Sequence, residues 1–244
     1  MRNVRLVIEY DGTNYSGWQI QNNAITIEGI IEDTLKKLIS EEVKITGSSR
    51  TDAGVHAKGF VGNFLTDSII PPEKFRDILN SKLPKDIVIK NSEEVKIEFN
   101  ARFDSKGKTY SYTILNSKQR PAIGRNYVYH YRKALNIEAM RIAAKEFIGT
   151  YDFEAFKSSG GNTKTTIRTI TELYMEVEED VIKFYITGDG FLYNMVRIIM
   201  GTLLEVGLNK IKPEEIRTII LSKDRNKAGA CLPASGLCLE KVYY

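Results

Sequence analysis

The chain has 244 residues, 42% of them hydrophobic, which is enough for a sizeable core in one large domain or two small ones. Its net charge of +4 is modest. The most apolar window, residues 191–208, contains Asn194, Arg197 and Glu205 and is too polar to span a bilayer, and the amino terminus lacks the apolar core of a secretion signal, so we expect a cytoplasmic protein that binds no membrane.

The first half of the chain alternates strand and helix patterns. Hydrophobic periodicity predicts strands at residues 4–10, 43–46, 60–64, 87–90 and 95–99. Thr26 is a potential N-cap for a helix that ends near Ser40, and Pro71 and Pro72 open a second helix. The order is β-α-β-β-α-β, the ferredoxin-like pattern, with a spare strand at its end.

A polar stretch with the sequence GSSRTDAGVHAKG lies between two of these strands, at residues 47–59. We call it the motif loop. It carries Arg50, Thr51, Asp52 and His56, and its length far exceeds the two residues that a hairpin turn needs. Ordering such a loop costs entropy without burying apolar surface, which favours a function. On composition alone, we favour a solvated Gly-rich loop in which Asp52 caps a turn and Arg50 is merely exposed.

From residue 108 the same order begins again. The second half contains predicted strands at residues 110–115, 167–177, 181–187 and 237–242, and predicted helices at 137–148, at 191–206 and after Pro213. We therefore expect two α/β domains, residues 1–105 with the motif loop and residues 106–244. A cleft between two such halves is a common place for a ligand.

Two residues of the second half have more than one reading. Arg197 lies off the apolar stripe of its predicted helix, so it can face a cleft, or it can cover apolar neighbours with its stem. Tyr110 begins a strand, where tyrosine most often packs in the core or at an edge.

Basic residues are concentrated in the middle of the chain. Residues 100–168 contain 13 Lys or Arg against 5 Asp or Glu, whereas the remainder is acidic. Within this region, residues 118–133 combine five basic residues with Tyr127, Tyr129 and Tyr131, and we call them the basic-aromatic segment. Such a mixture suits phosphates and unstacked bases, although an ordinary solvated linker is equally possible.

The chain has only two cysteines, Cys231 and Cys238, and two histidines, His56 and His130. They form no recognisable cluster for structural zinc, and no disulfide is expected in the cytosol. Magnesium held by carboxylates is harder to exclude, because such a site needs no strict motif.

Six motifs together resemble the tRNA pseudouridine synthase A family almost from end to end. They are YDGTNYSGWQ at residues 10–19, RTDAGVHA at 50–57, KTYSY at 108–112, DFEAF at 152–156, FLYNMVR at 191–197 and KDR at 223–225. RTDAGVHA is highly specific, whereas DFEAF alone would mean little. The chain departs from the common pattern at four positions, which are Glu28, Ser49, Gly190 and Asn194.

The resemblance implies an α/β (α+β) fold. Two ferredoxin-like halves would form a mixed, mostly antiparallel sheet with a central catalytic cleft. It also implies a homodimer that grips tRNA and modifies uridines of the anticodon stem-loop, at positions 38–40, without metal or cofactor.

The resemblance also implies roles for individual residues. Asp52 matches the essential aspartate, Arg50 the residue that fills the place of the flipped base, Tyr110 the aromatic residue stacked on the uracil, and Arg197 the partner of the aspartate. Substrate-binding residues are then expected to include Tyr110 and Arg50 together with Arg168, Trp18 and Gln19.

The reaction breaks the bond between N1 and C1′, turns the base and joins C5 to C1′, which requires no added group. A carboxylate such as Asp52 can attack C1′ or C6, or can assist removal of a sugar proton. Two other classes of protein remain to be considered. One is an RNA-binding module without catalysis, and the other a hydrolase using Asp52 and His56, for which no nucleophile elbow or metal set is visible.

Overall fold

The computed structural model describes residues 1–160 and 163–244, and these form two compact units. In chain order the strands are β1 Arg2–Tyr10, β2 Thr46–Gly47, β3 His56–Thr66, β4 Ile87–Val95, β5 Gly107–Asn116, β6 Tyr129–Tyr131, β7 Gly149–Asp152, β8 Ile167–Glu178, β9 Val181–Gly188 and β10 Leu237–Tyr243. The α-helices are α1 Ile27–Ile39, α2 Phe75–Asn80, α3 Ile137–Lys145, α4 Met195–Gly207 and α5 Glu215–Ser222. The mixed α and β fold class predicted from the sequence is confirmed.

Unit 1 consists of Met1–Lys106 and Cys238–Tyr244. β1 pairs antiparallel with β3 and with β4, and β2 pairs antiparallel with β3, so the strand order is β4-β1-β3-β2. With α1 and α2 in their places along the chain, this is the ferredoxin-like arrangement that the β-α-β-β-α-β pattern predicts.

The first helix forms as its sequence predicts. The Thr26 hydroxyl accepts a hydrogen bond from the Gly29 N–H at the amino end, and Ser40 ends the helix in the left-handed conformation. Ile27, Ile31 and Leu35 lie at helical spacing and are fully buried, so one face of α1 belongs to the core of unit 1.

From Cys238 onward the last strand, β10, belongs to unit 1, whereas the sequence analysis placed it in the second domain. Cys238 and Leu239 of β10 pair in parallel with His56 and Ala57 of β3, and the Tyr243 carbonyl accepts a hydrogen bond from the Lys106 N–H. These contacts join residues far apart in sequence, and periodicity carries no information about them.

The spare strand predicted at residues 95–99 is wrong. The carbonyl groups of Lys96, Ile97 and Phe99 accept hydrogen bonds from the buried Asn3 side chain, at 2.9–3.1 Å. The Asn63 side chain donates to the Phe99 carbonyl and accepts from the Ala101 N–H at 2.8 Å. Two buried amides thus bond the backbone of a turn that would otherwise need a partner strand.

Unit 2, Gly107–Leu237, contains the sheet β5-β9-β8-β7, in which neighbours are antiparallel, and β6 lies parallel along β5. One face of this sheet contributes fully buried residues, among them Tyr112, Phe184 and Ile186. β6 and β7 are three and four residues long and were not predicted, because so short a strand shows no periodicity of its own.

The long helix predicted at residues 191–206 begins four residues later, as α4. Asn194 precedes it in the left-handed conformation with φ of 62°, which a helix cannot contain, so Phe191 and its neighbours are outside it. Among the described residues no helix combines the length and apolar character needed to cross a membrane.

We expect the substitution Asn63→Leu to reduce the free energy of unfolding by at least about 2 kcal/mol, because it leaves the buried Ala101 N–H and the Asn3 side-chain oxygen without their present partner. Urea denaturation measures this. The control is Asn91→Leu, at an exposed position of β4, which should cost under about 0.5 kcal/mol. Equal, small losses in the two variants would contradict the structural role of Asn63.

Candidate active site

The motif loop is more tightly bound than its composition suggests. β2 and β3 extend into it, because Thr46 and Gly47 pair with Asn63 and Gly62, and only residues 48–55 lie outside strands. Within this short connection Arg50 is exposed and Asp52 is half-buried. The loop therefore presents Asp52 from a fixed backbone.

A second segment, residues 12–18, holds the loop through backbone hydrogen bonds. The Trp18 N–H donates to the Thr51 carbonyl at 3.0 Å, and the Gly54 N–H donates to the Tyr15 carbonyl at 3.3 Å. These bonds lie on either side of Asp52. Its own carbonyl accepts from the Val55 N–H at 3.1 Å, which closes the turn.

Two glycines allow this close approach. Gly17 has φ of +88°, and a Cβ placed on it would lie 2.5 Å from the Thr51 carbonyl oxygen. A Cβ on Gly12 would lie 2.1 Å from the Val55 carbonyl oxygen. The YDGTNYSGWQ and RTDAGVHA motifs are thus one packed unit, since each glycine of the first approaches the backbone of the second.

Trp18 is a buried residue that lies beside the motif loop. It is 1% exposed, its ring stacks on Phe60 with centroids 3.8 Å apart, and its Nε1–H donates to Glu28 Oε1 at 3.2 Å. A side chain this buried can position the loop, and its place in the substrate-binding set stays a prediction. Gln19, assigned to the same set, is exposed.

His56 also lies inside the structure. It is 5% exposed, and its Nδ1 accepts from the Gly12 N–H at 3.1 Å and lies 3.1 Å from Asp11 Oδ1. The Thr51 hydroxyl lies 2.7 Å from the Tyr10 hydroxyl, where either can donate. These contacts support a structural role for His56.

In unit 2, Tyr110 is 8% exposed and lies opposite Ile186 on β9. Phe191 meets its ring edge-on, with centroids 5.3 Å apart and planes at 88°. Sequence reasoning did not single out Phe191, although it opens the FLYNMVR motif. The FLYNMVR motif thus contacts Tyr110 as well as carrying Arg197.

Arg197 is half-buried in the first turn of α4. Its Nε–H donates to the Leu232 carbonyl at 2.6 Å and its Nη1–H donates to Asn194 Oδ1 at 2.7 Å. Two acceptors on different edges of a planar guanidinium fix its orientation. The guanidinium is therefore held by polar contacts, and its facing a cleft stays a prediction.

Tyr112 steadies the segment that Arg197 contacts. Its hydroxyl donates to the Pro233 carbonyl at 2.8 Å, next to Leu232. Burial raises the pKa of Tyr112 well above its ordinary value, although the positive charge of Arg197 acts in the opposite direction. Tyr112 therefore stays protonated and remains a donor across the physiological pH range.

Arg168 is half-buried, and its Nη1 donates to the carbonyls of Thr165 and Ile167, at 2.9 and 2.6 Å. Beside it lies Gly190, where an added Cβ would be 3.5 Å from the Arg168 Nε. A side chain there would make only ordinary van der Waals contact with the guanidinium, which is held by backbone carbonyls at and just before the start of β8.

The basic-aromatic segment folds against β5. β6 supplies its strand pairing, and the Asn116 side chain donates to the carbonyls of Tyr131 and Lys133 at 3.0 and 2.7 Å. Its five basic side chains are all exposed: Lys118, Arg120, Arg125, Arg132 and Lys133. The segment is thus an anchored structure with its charge directed to solvent.

Within the described part of the chain, no three His, Cys, Asp or Glu side chains lie close enough together to hold a metal ion.

The family described as tRNA pseudouridine synthase matches residues 6–104 and 143–244. The tRNA pseudouridine synthase A 2 of Clostridium perfringens is 58% identical over 244 residues, which is the full length of both chains. The tRNA pseudouridine synthase A of Clostridium acetobutylicum is also 58% identical, and that of Acetivibrio thermocellus 54% identical, each over the full length of both chains.

A solved structure of an archaeal box H/ACA sRNP Nop10-Cbf5 complex matches 96% of this chain and 46% of its own. The TM-score is 0.38 and the identity 13%. So remote a likeness supports no inference about function.

The substitution Gly17→Ala should displace the motif loop. Its control is Gly124→Ala, which also has a positive φ, of +72°, but has nothing within 4 Å of the added Cβ. Both variants carry the backbone strain of about 1–2 kcal/mol, and only Gly17→Ala adds the clash with Thr51.

In urea denaturation, we expect Gly17→Ala to reduce the free energy of unfolding by at least about 1 kcal/mol more than Gly124→Ala does. Trp18 is the only tryptophan of the chain, so its emission reports on this contact directly. The native emission should shift to longer wavelength in Gly17→Ala alone. An unshifted spectrum and matched stabilities would refute the close packing of the two motifs.

Proposed function

Since this chain belongs to the tRNA pseudouridine synthase family, we propose that it converts uridine to pseudouridine in the anticodon stem-loop of tRNA, at positions 38–40. The observation that carries the proposal is that relatives named tRNA pseudouridine synthase A align with all 244 residues. The motif loop and the FLYNMVR motif both lie within the regions that the family matches.

The reaction is an isomerisation. The bond from C1′ to N1 breaks, the base turns, and C5 bonds to C1′ in its place. The C5 carbon then gives up its proton, and the freed N1 ends with one, so no atom is gained or lost. The protein must therefore activate the glycosidic bond, hold the detached base and move a proton.

Asp52 is proposed as the group that activates the substrate. It acts as a nucleophile at C1′ or C6, or as a base towards a sugar proton, and each route requires the ionised carboxylate. Support comes from its half-buried position on a loop whose backbone is bonded on both sides. A fixed carboxylate avoids the entropy cost of being ordered at each turnover.

Arg197 is proposed to support the negative charge of Asp52, because a nearby guanidinium favours the ionised form of a carboxylate. Tyr110 is proposed to stack on the uracil and to accept or relay the C5 proton through its hydroxyl. The edge contact with Phe191 supports this role, because it restricts how the Tyr110 ring can turn.

The target uridine must leave the helical stack, which costs a few kcal/mol. Arg50 is exposed on the motif loop and is proposed to occupy the vacated place. Phosphate contacts from the basic-aromatic segment offset the cost, and Arg168 and Gln19 are proposed to add contacts to the substrate.

A homodimer acting in the cytoplasm is part of the proposal. An exposed aromatic pair on unit 2 supports self-association, because Tyr174 is 49% exposed and stacks on Tyr185 with centroids 5.1 Å apart. Exposed aromatic surface of this kind is typical of protein interfaces.

The two competing classes are less well supported. An RNA-binding module gains little from a carboxylate beside phosphates. In the hydrolase reading His56 would act as an acid or base, yet it is 5% exposed and its Nδ1 already accepts a backbone hydrogen bond.

We expect Asp52→Asn to lower the rate of pseudouridine formation at least about a thousandfold, because the amide cannot carry the negative charge. Affinity for tRNA should change less than about threefold. Carbodiimide mapping of an unmodified tRNA transcript measures the product, and filter binding measures affinity. Asp33→Asn, on the exposed face of α1, is the matched control. Normal product from Asp52→Asn would reject the assignment.

Replacing Arg120, Arg125 and Arg132 together with Ala should weaken tRNA binding and flatten its salt dependence. Each lost phosphate contact reduces the slope of log K against log salt by roughly 0.7–0.9. The matched control is the Ala substitution of three exposed unit 1 lysines, Lys74, Lys82 and Lys85. Equal slopes in the two triple variants would contradict a nucleic-acid role for the basic-aromatic segment.

A further inference from the structure

Asn194 occupies an unusual place in the chain. It is the N-cap of α4, yet its side chain makes no capping hydrogen bond to the first helical turn, where asparagine normally accepts one. It also has φ of 62°, a conformation that glycine, asparagine and aspartate adopt far more readily than other residues. Its backbone and its side chain thus serve different purposes.

The side chain joins two neighbours instead. Asn194 Oδ1 accepts from Arg197 Nη1–H at 2.7 Å, and Asn194 Nδ2–H donates to Ser158 Oγ at 3.0 Å. The Ser158 N–H donates in turn to the Tyr193 carbonyl at 3.1 Å. The amide is held at both ends, so its oxygen is directed at the guanidinium.

The guanidinium of Arg197 takes part of its orientation from this oxygen. Its Nε–H donates to the Leu232 carbonyl, and its Nη1–H, on a different nitrogen of the planar group, donates to the Asn194 oxygen. A hydrogen bond to a charged group is stronger than one between two neutral groups. Loss of this bond should therefore change how often the guanidinium is correctly placed.

We propose that Asn194 is a positioning residue that orients Arg197 for the reaction. The inference rests on the proposed function, in which Arg197 acts with Asp52. Asparagine suits the position because it combines tolerance of a positive φ with an acceptor for Arg197 and a donor for Ser158. A glycine would supply the backbone alone, and most other residues would strain it.

Asn194→Gly tests the proposal because it keeps the backbone conformation and removes the acceptor. We expect the single-turnover rate to fall about ten- to a hundredfold, with tRNA affinity changed less than about threefold. Asn194→Asp keeps an acceptor oxygen and should retain the rate within about fivefold. The control is Asn209→Gly, another asparagine of positive φ, at 56°, whose side chain contacts Asn136 and not Arg197.

A double-mutant cycle distinguishes positioning from a purely structural role. If Asn194 acts through Arg197, adding Asn194→Gly to Arg197→Lys should slow the enzyme little further, because lysine has no second nitrogen for Asn194 to orient. Multiplication of the two effects would overturn the proposal. So would a wild-type rate in Asn194→Gly, or equal losses in its Gly and Asp variants.

The proposed function can fail separately. A wild-type protein that forms no pseudouridine, or an Arg197→Lys variant with full activity, would count against the role of Arg197 itself. A slow Arg197→Lys beside an unimpaired Asn194→Gly would overturn the positioning role alone. Thermal unfolding of each variant confirms that the protein compared is folded.

Discussion

The hydrogen bond from the Trp18 N–H to the Thr51 carbonyl is the contact on which the placement of Asp52 depends. It exists because Gly17 has no Cβ to collide with that carbonyl, and because stacking on Phe60 fixes the indole below the loop. A polar loop has little apolar surface with which to offset its ordering entropy. Here the neighbouring segment, residues 12–18 with the buried Trp18, stabilises the ordered loop, and the loop itself carries Arg50 and Asp52.

In unit 2 the Arg197 side chain is restrained in a similar way. A guanidinium on a helix has a long, flexible stem, and the acceptors at Leu232 and Asn194 limit its freedom. Tyr112 stabilises the same segment through Pro233 and stays protonated, so this support does not change with pH near neutrality. In both units the group proposed to act is held by neighbours that are themselves bonded to the backbone.

The sequence predicts the parts of the fold that local pattern controls. Thr26 and the apolar spacing after it specify α1, and the specific letters of RTDAGVHA identify the family. Local pattern mispredicts the secondary structure where a distant side chain controls the backbone. The Asn3 side chain, for example, bonds the backbone of residues 96–99, where a strand was predicted. Local pattern fails again at Asn194, whose left-handed backbone makes α4 begin later than predicted, and it does not reveal that Trp18 is buried against Phe60, more than forty positions further along the chain.

The central proposal is that Asp52 acts as a carboxylate whose negative charge Arg197 favours. The pH dependence of the single-turnover rate tests it most directly, in wild type, Arg197→Lys and Arg197→Met. Removing a positive charge makes a carboxylate easier to protonate, so we expect the acid limb of Arg197→Met to move to higher pH, while Arg197→Lys stays near wild type. Coincident acid limbs in all three proteins would contradict the claim.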